Sequence, residues 1–228
     1  MAKRKLQRFA ENATFDHFFQ PSFDELREGF SLKSNWAKDF FGNTNDIIIE
    51  LGCGKGEYTV ALAQKHPDRN HIGIDKKGAR MWRGSKTSQE QQLKNVAFIR
   101  TRSEMIELLF GKNEISEIWI TFPEPQPNKF KRRFTSPEYI ERYRNLLKPD
   151  GIIHLKTDNA DLFNYSLGVI SKDNHRLLYS TADLYHTEMN KDIEEVLPVQ
   201  TFYEQMWLEK GLNIHYLKFQ MNLKNENG

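Results

Sequence analysis

The chain has a single cysteine, Cys53, among its 228 residues. One thiol can neither close an internal disulfide nor furnish a structural zinc site. The seven histidines are scattered without the paired spacing of metal ligands, so no metal is expected. Long apolar runs are missing as well. The longest purely aliphatic stretch is Ile47 to Ile49, far below what a bilayer crossing needs. The amino end, Met1-Ala-Lys-Arg-Lys-Leu-Gln-Arg8, is basic but has no apolar stretch behind it, which argues against a secretory signal. A large net charge is also absent: Lys+Arg 33 stand against Asp+Glu 31, a formal +2. A cytoplasmic globular protein without disulfide, metal or membrane span is expected, and as a monomer or homodimer.

What the chain does have is aromatic bulk. Phe 16, Tyr 8 and Trp 4 supply enough volume to pack an interior although only 38% of residues are apolar. Charge is distributed in blocks. Lys3, Arg4, Lys5 and Arg8 occupy the first ten positions with no acid. Lys129, Lys131, Arg132, Arg133, Arg142 and Arg144 face only Glu138 and Glu141 between 128 and 144, and Glu188, Asp192, Glu194 and Glu195 restore the balance. A basic stripe attracts a polyanion even when the whole molecule does not, and the amino-terminal one reads as a polyanion-gripping arm or as a soluble tail.

From residue 45 onward, apolar runs and turn signals alternate. Strands are expected at Asp46–Leu51, Asn70–Asp75, Val96–Arg100, Ile115–Phe122, Gly151–Lys156, Arg176–Thr181 and Ile214–Met221, with helical patterns between the first five. The clearest helix runs from about 137 to 147, with Ser136 or Thr135 as cap, Pro137 in its first turn, and a stop at Lys148-Pro-Asp-Gly151. Another is expected over Asp158–Ile170. Strands separated by helices imply parallel pairing through right-handed crossovers. The fold class is therefore α/β: a Rossmann-like, doubly wound, mostly parallel sheet. With no clear helix between the last two strands, an antiparallel ending is expected. Residues 1–44 read as a basic, partly helical extension with an amphipathic helix near Phe23–Phe30, residues 45–222 as the main domain, and 223–228 as a polar tail.

Two loops carry chemistry. Glu50-Leu-Gly-Cys-Gly-Lys-Gly56 sits where the first strand gives way to a helix. Its glycines allow a sharp turn and close approach to a ligand, and the following helix offers unpaired N–H groups to an anion. A dinucleotide fingerprint needs glycines at relative positions one, three and six. Here they fall at 52, 54 and 56, and Glu57 holds the sixth place, where its carboxylate repels a pyrophosphate. Asp75 ends the second strand roughly 20 residues on, where an acid in such folds grips ribose hydroxyls. A plain tight turn, with Asp75 capping the next helix, would use the same residues for structure alone. The pattern E-x-G-x-G-x-G with this acid resembles the S-adenosylmethionine site of Rossmann-like methyltransferases. The second loop, Phe122-Pro-Glu-Pro-Gln-Pro-Asn-Lys-Phe-Lys-Arg-Arg133, follows the fourth strand and must face the same crevice. Its prolines stiffen the turn that presents Glu124.

The order of Phe122-Pro-Glu-Pro125, Lys131-Arg-Arg133, Leu147-Lys-Pro-Asp-Gly151, His154-Leu-Lys-Thr-Asp158 and Thr201-Phe-Tyr-Glu204 resembles the bacterial tRNA (guanine-N7)-methyltransferases, with the similarity running from about Phe40 to Phe219. The resemblance implies S-adenosylmethionine as methyl donor, S-adenosylhomocysteine as product, and tRNA as partner. It implies that Glu50, Asp75 and the loop glycines Gly52, Gly54 and Gly56 contact the donor. It places Glu124 where the family usually has a catalytic aspartate, and Asp158 with Thr201, Phe202, Tyr203 and Glu204 at the substrate nucleotide. The chain departs from the pattern in three places. The third cofactor-contacting acid falls on Arg102, with Glu104 two places on. The aromatic residue after the F-P-D-P turn is Gln126. A shortened basic linker aligns the substrate lysine with Asn128, leaving Lys129 as its substitute. Lys131, Arg132 and Arg133 are expected to hold RNA phosphates. Rival readings are a methyltransferase for exocyclic adenine nitrogen or protein amide, whose adjacent prolines are missing here, and a non-catalytic RNA-binding subunit with a vestigial pocket.

Overall fold

A computed structural model of the chain describes residues 2–222, and side chains from Lys5 onward. The expected tail at 223–228 and the side chains of Lys3 and Arg4 lie outside the described residues. In chain order the elements are α1 (Ala2–Asn12), β1 (Phe18–Phe19), α2 (Phe23–Gly29), β2 (Ile47–Leu51), α3 (Glu57–Lys65), β3 (Asn70–Asp75), α4 (Gly78–Glu90), β4 (Val96–Arg100), α5 (Ile106–Leu109), β5 (Ile115–Thr121), α6 (Pro137–Arg144), β6 (Leu147–Thr157), α7 (Ala160–Lys172), β7 (Arg176–Thr181), α8 (Phe202–Glu209) and β8 (His215–Gln220).

One eight-stranded sheet runs β1-β4-β3-β2-β5-β6-β8-β7. The pairs from β1 to β6 are parallel, and β8 is antiparallel to both β6 and β7. All five residues of β2 are buried, as a central strand covered on both faces requires. The chain leaves β2 toward β3 and β4 on one side and later toward β5 and β6 on the other. That reversal opens a crevice at the carboxyl ends of β2 and β5, where doubly wound folds bind ligands. This is an α/β Rossmann-like, doubly wound architecture, with its antiparallel ending.

Three local readings change. The helix expected to reach 147 stops at Arg144, and β6 begins at Leu147, running through Lys148-Pro-Asp-Gly151. The pairing of β5 with β6 shifts register across this stretch, so the exposed Pro149 sits in a bulge that needs no N–H from it. A helix, α8, does lie between β7 and β8. Thr201 and Glu204 form its capping box, a signal readable in T-x-x-E. The expected extension 1–44 is, over the described residues 2–44, part of the main body rather than separate from it. β1 adds a parallel edge strand to β4, and Trp36 is fully buried among Phe19, Phe30, Phe40 and Phe110 with its indole N–H donating to Leu109 O at 3.0 Å. Burying one indole removes roughly 200 Å² from water, worth about 5 kcal/mol before the entropy of ordering. Among the described residues no helix is long and apolar enough to cross a membrane.

Candidate active site

The turn after β2 is built from three left-handed glycines: Gly52 at φ +75°, Gly54 at +57° and Gly56 at +73°. Gly56 has a second reason to lack a side chain, since a Cβ there would stand 2.5 Å from the Phe98 ring. Gly54 is different. A Cβ on it would meet only Gly52 O, at 4.0 Å, so space is open above the loop. Asp75 braces this turn from the end of β3, with one carboxylate oxygen accepting from Gly54 N at 3.0 Å and the other from Lys77 N at 2.7 Å. Cys53 is buried in the loop, and desolvation lifts its thiol well above the usual range, which makes it a packing residue rather than a nucleophile.

Glu50 lies beneath the turn, only 3% exposed. One carboxylate oxygen accepts from Thr59 N at 2.9 Å and Thr59 Oγ1 at 2.5 Å, and the other accepts from Thr121 Oγ1. Burial pushes its pKa up to about 7, against the pull of those hydrogen bonds.

The Phe122–Gln126 turn forms the facing wall. Its start is tied to β6 by Phe122 N donating to Lys156 O at 2.8 Å. Phe122 and Gln126, at φ +46° and +51°, bracket Pro-Glu-Pro in a conformation that non-glycine residues avoid. Such strain persists where surrounding contacts over-determine it, and it concentrates at functional sites. Glu124 is exposed on the crest of this turn. It shares one cavity of about 280 Å³ with Glu50, Gly52, Gly54, Asp75, Arg102 and Glu104. The crevice thus brings together the two loops singled out from sequence.

Other assigned residues fall around it. Arg132, Thr201 and Tyr203 line the cavity. Gly56 lies behind the turn, against Phe98. Asn128, Lys129 and Lys131 are exposed on the adjoining loop, Lys131 pairing with Glu138 at 3.5 Å. Asp158 is half-buried just past β6, and Phe202 is exposed at the start of α8 beside Lys55, whose ammonium sits 4.0 Å from its ring centroid.

Two residues expected to touch RNA are inside the protein, and both assignments are corrected. Arg133 is 1% exposed. Its guanidinium lies against the rings of both Phe130 and Tyr165, donates to Pro125 O at 2.9 Å and pairs with Asp161 at 2.5 Å. A group so enclosed cannot meet a phosphate; it ties the Glu124 turn to α7. Glu204 is fully buried. It pairs with Lys156, accepts from Tyr185 OH at 2.7 Å and caps α8, so it places Thr201 and Tyr203 rather than contacting a nucleotide.

Several cavity residues are not evident from sequence. Lys76, Lys77 and Arg80 line it past the end of β3, as do Phe134 and Tyr139 from the other side. The lysines directly follow Asp75, and that adjacency is the available signal. Glu57, hostile to a pyrophosphate by its position, pairs with Lys55 at 3.6 Å and accepts from Phe202 N at 3.0 Å, joining the glycine loop to α8. Among the described residues no cluster of three or more His, Cys, Asp or Glu gathers in a metal-binding arrangement.

Comparison with known proteins places the chain in a family. Residues 44–217 match the family described as "Putative methyltransferase". The tRNA (guanine-N(7)-)-methyltransferase of Christiangramia forsetii is 52% identical over 96% of this chain and 99% of its own length. That of Bacteroides thetaiotaomicron is 46% identical over 97% and 87%. Among solved structures, the 16S rRNA methyltransferase KamB aligns with a TM-score of 0.61 at 13% identity, covering 81% of this chain and 92% of its own, and an antibiotic-related methyltransferase aligns with 0.59 at 19%, covering 87% and 93%. At such identities these two structures speak for the fold alone. Given the glycine turn, the Pro-Glu-Pro turn and near full-length identity of this degree, the chain belongs to the tRNA (guanine-N7)-methyltransferase family.

Proposed function

We infer that the crevice transfers a methyl group from S-adenosylmethionine to N7 of a guanosine in tRNA, leaving S-adenosylhomocysteine. The observation that carries this is the single cavity shared by Gly54, Asp75 and Glu124. The residues fit the donor. Gly54 leaves open space above the turn, Asp75 presents a carboxylate at the end of β3, and Glu50, Arg102 and Glu104 complete a polar lining. When bound, the donor supplies an electrophilic methyl on a sulfonium.

The nucleophile needs little help. Guanine N7 is an unprotonated acceptor on the major-groove edge, so no base has to remove a proton first. The protein's part is alignment and electrostatics. Glu124 and Asp158 can accept from guanine N1–H and N2–H, and their charge favours the purinium that forms. Thr201 and Tyr203 border the base, while Arg132, Lys131 and Lys129 hold the adjoining phosphates, with Asn128 as a polar neighbour. Glu124 carries one more methylene than aspartate, and the shortened linker after it offsets that reach.

The test is to incubate the protein with S-adenosylmethionine and total tRNA and to identify the methylated atom by nucleoside mass spectrometry. 7-Methylguanosine is expected. Methyl on an adenine nitrogen, or none, would overturn the assignment.

A further inference from the structure

The cavity rim opposite the Phe122–Gln126 turn is cationic. Lys76, Lys77 and Arg80 line it from the β3–α4 turn and the start of α4, and Arg102 from just past β4. Helix α1 continues this surface because it is docked along α4. Asn12 Nδ2 donates to Gly78 O at 2.8 Å, and the Glu11 carboxylate accepts from Trp82 Nε1 at 2.7 Å and pairs with Lys86 at 2.6 Å. The Arg8 guanidinium lies 4.6 Å from a Trp82 ring centroid and that of Arg100 4.7 Å from Phe9. Both acids of this helix pair are consumed within it, Glu11 by Lys86 and Glu90 by Arg83 at 3.9 Å. Lys5, Arg8, Arg80, Arg100 and Arg102 are left exposed, and none is ion-paired among the described residues.

We propose that α1 docked on α4 is a phosphate-binding face for the body of the tRNA. Arg132 lines the same cavity as Lys76, Lys77 and Arg80, so the polyanion is held on both flanks while the target base enters between them. The length of the face suits a nucleic-acid strand, because an 11-residue helix spans about 16 Å, or several phosphates. Polarity of the whole molecule favours the same docking. None of the acids of 188–195 lines the cavity, and the Glu194 and Glu195 carbonyls accept from Lys65 at the carboxyl end of α3, so a net charge of +2 still steers RNA to the crevice side. The inference rests on tRNA being the substrate.

The test uses the full chain with Lys5→Gln, Arg8→Gln and Arg100→Gln combined, none of which lines the cavity. Binding of S-adenosylmethionine by calorimetry and turnover at saturating tRNA should match the parent. The Kd for tRNA should rise about tenfold, and the slope of log Kd against log salt should flatten by about two to three units, as loss of that many phosphate contacts requires. Lys5→Glu alone, on an exposed side chain, should shift both readouts in the same direction and guards against misfolding of the triple variant. Unchanged tRNA affinity and salt slope in both variants would overturn the proposal. If the parent protein itself fails to make 7-methylguanosine, the substrate assignment falls instead, and the two failures are distinct.

Discussion

Lys156 Nζ and Glu204 Oε1 stand 2.6 Å apart with both side chains fully buried, joining the sixth strand to the helix that carries Thr201 and Tyr203. Lys156 also donates to Val199 O at 3.0 Å. Burial lowers its ammonium below the ordinary lysine value, and Glu204 opposes that fall. Removing one partner leaves the other charge stranded in the interior. Glu204→Ala is expected to cost about 3–5 kcal/mol, read by urea denaturation. Lys156→Met combined with Glu204→Leu should recover most of that loss, because no charge is then left unpaired. If Glu204→Ala left stability unchanged while abolishing tRNA binding, the glutamate would belong to the substrate after all.

Glu50 sets stability against its proposed contact with the methyl donor. Its pKa rises from the ordinary 4.5 to about 7 because the carboxylate is buried. A group whose folded value lies above its unfolded value stabilises fully below the unfolded value, and that contribution is lost as pH climbs through the folded one. Between pH 4.5 and 7 the native state therefore loses up to about 3 kcal/mol relative to a neutral side chain. Glu50→Gln keeps acceptors and donors for Thr59 and Thr121. It should match the parent's melting temperature near pH 4 and exceed it at about pH 8, while binding S-adenosylmethionine more weakly. Parallel melting curves across pH would show that burial does not tax the carboxylate.

The neighbours Arg132 and Arg133 should behave oppositely. Arg132 is exposed at the cavity edge, and Arg132→Gln is expected to weaken tRNA binding and flatten its salt slope by about one unit without lowering the melting temperature. Arg133 holds Pro125 O and Asp161 from the interior. Arg133→Ala should lower the melting temperature and kcat while the salt slope holds. A change in slope at Arg133 would restore it to the RNA surface.

That contrast marks what residue patterns can and cannot disclose. Every strand but the two-residue edge strand β1, the antiparallel ending and both candidate loops are legible in the sequence, because alternation of apolar runs, glycine spacing and stiff Pro-x-Pro turns are local signals. Arg132 and Arg133 are the same residue type in adjacent positions, and only Tyr165 and Asp161, arriving from α7, decide which one is buried. The same holds for Glu204, whose partner Lys156 lies on a distant strand. Helix α8 escapes a reading by periodicity although its Thr201–Glu204 capping box is visible, because its apolar positions form no continuous stripe. The role of α1 is half visible: its charge is plain, but its seat on Trp82 and Gly78 depends on a helix many residues away.

In the proposed reaction, Glu124 is the residue assigned the electrostatic role. It is the acid at the crest of a turn held at positive φ on both sides, tied by Phe122 N to β6 and by Arg133 to Pro125 O. So many restraints on an exposed carboxylate make sense when its position matters more than its basicity, as it does where the nucleophile needs no deprotonation and the product is a cation. Glu124→Ala is expected to lower kcat about a hundredfold, the scale of losing one preorganised electrostatic contact, with the Kd for S-adenosylmethionine unchanged. Glu124→Gln separates the two contributions: the amide oxygen still accepts from guanine but no longer offsets the purinium charge, so its kcat should fall between those of the parent and the alanine variant. Single-turnover methyl transfer at saturating tRNA measures both. Parent-like rates in Glu124→Ala would remove the residue from the mechanism.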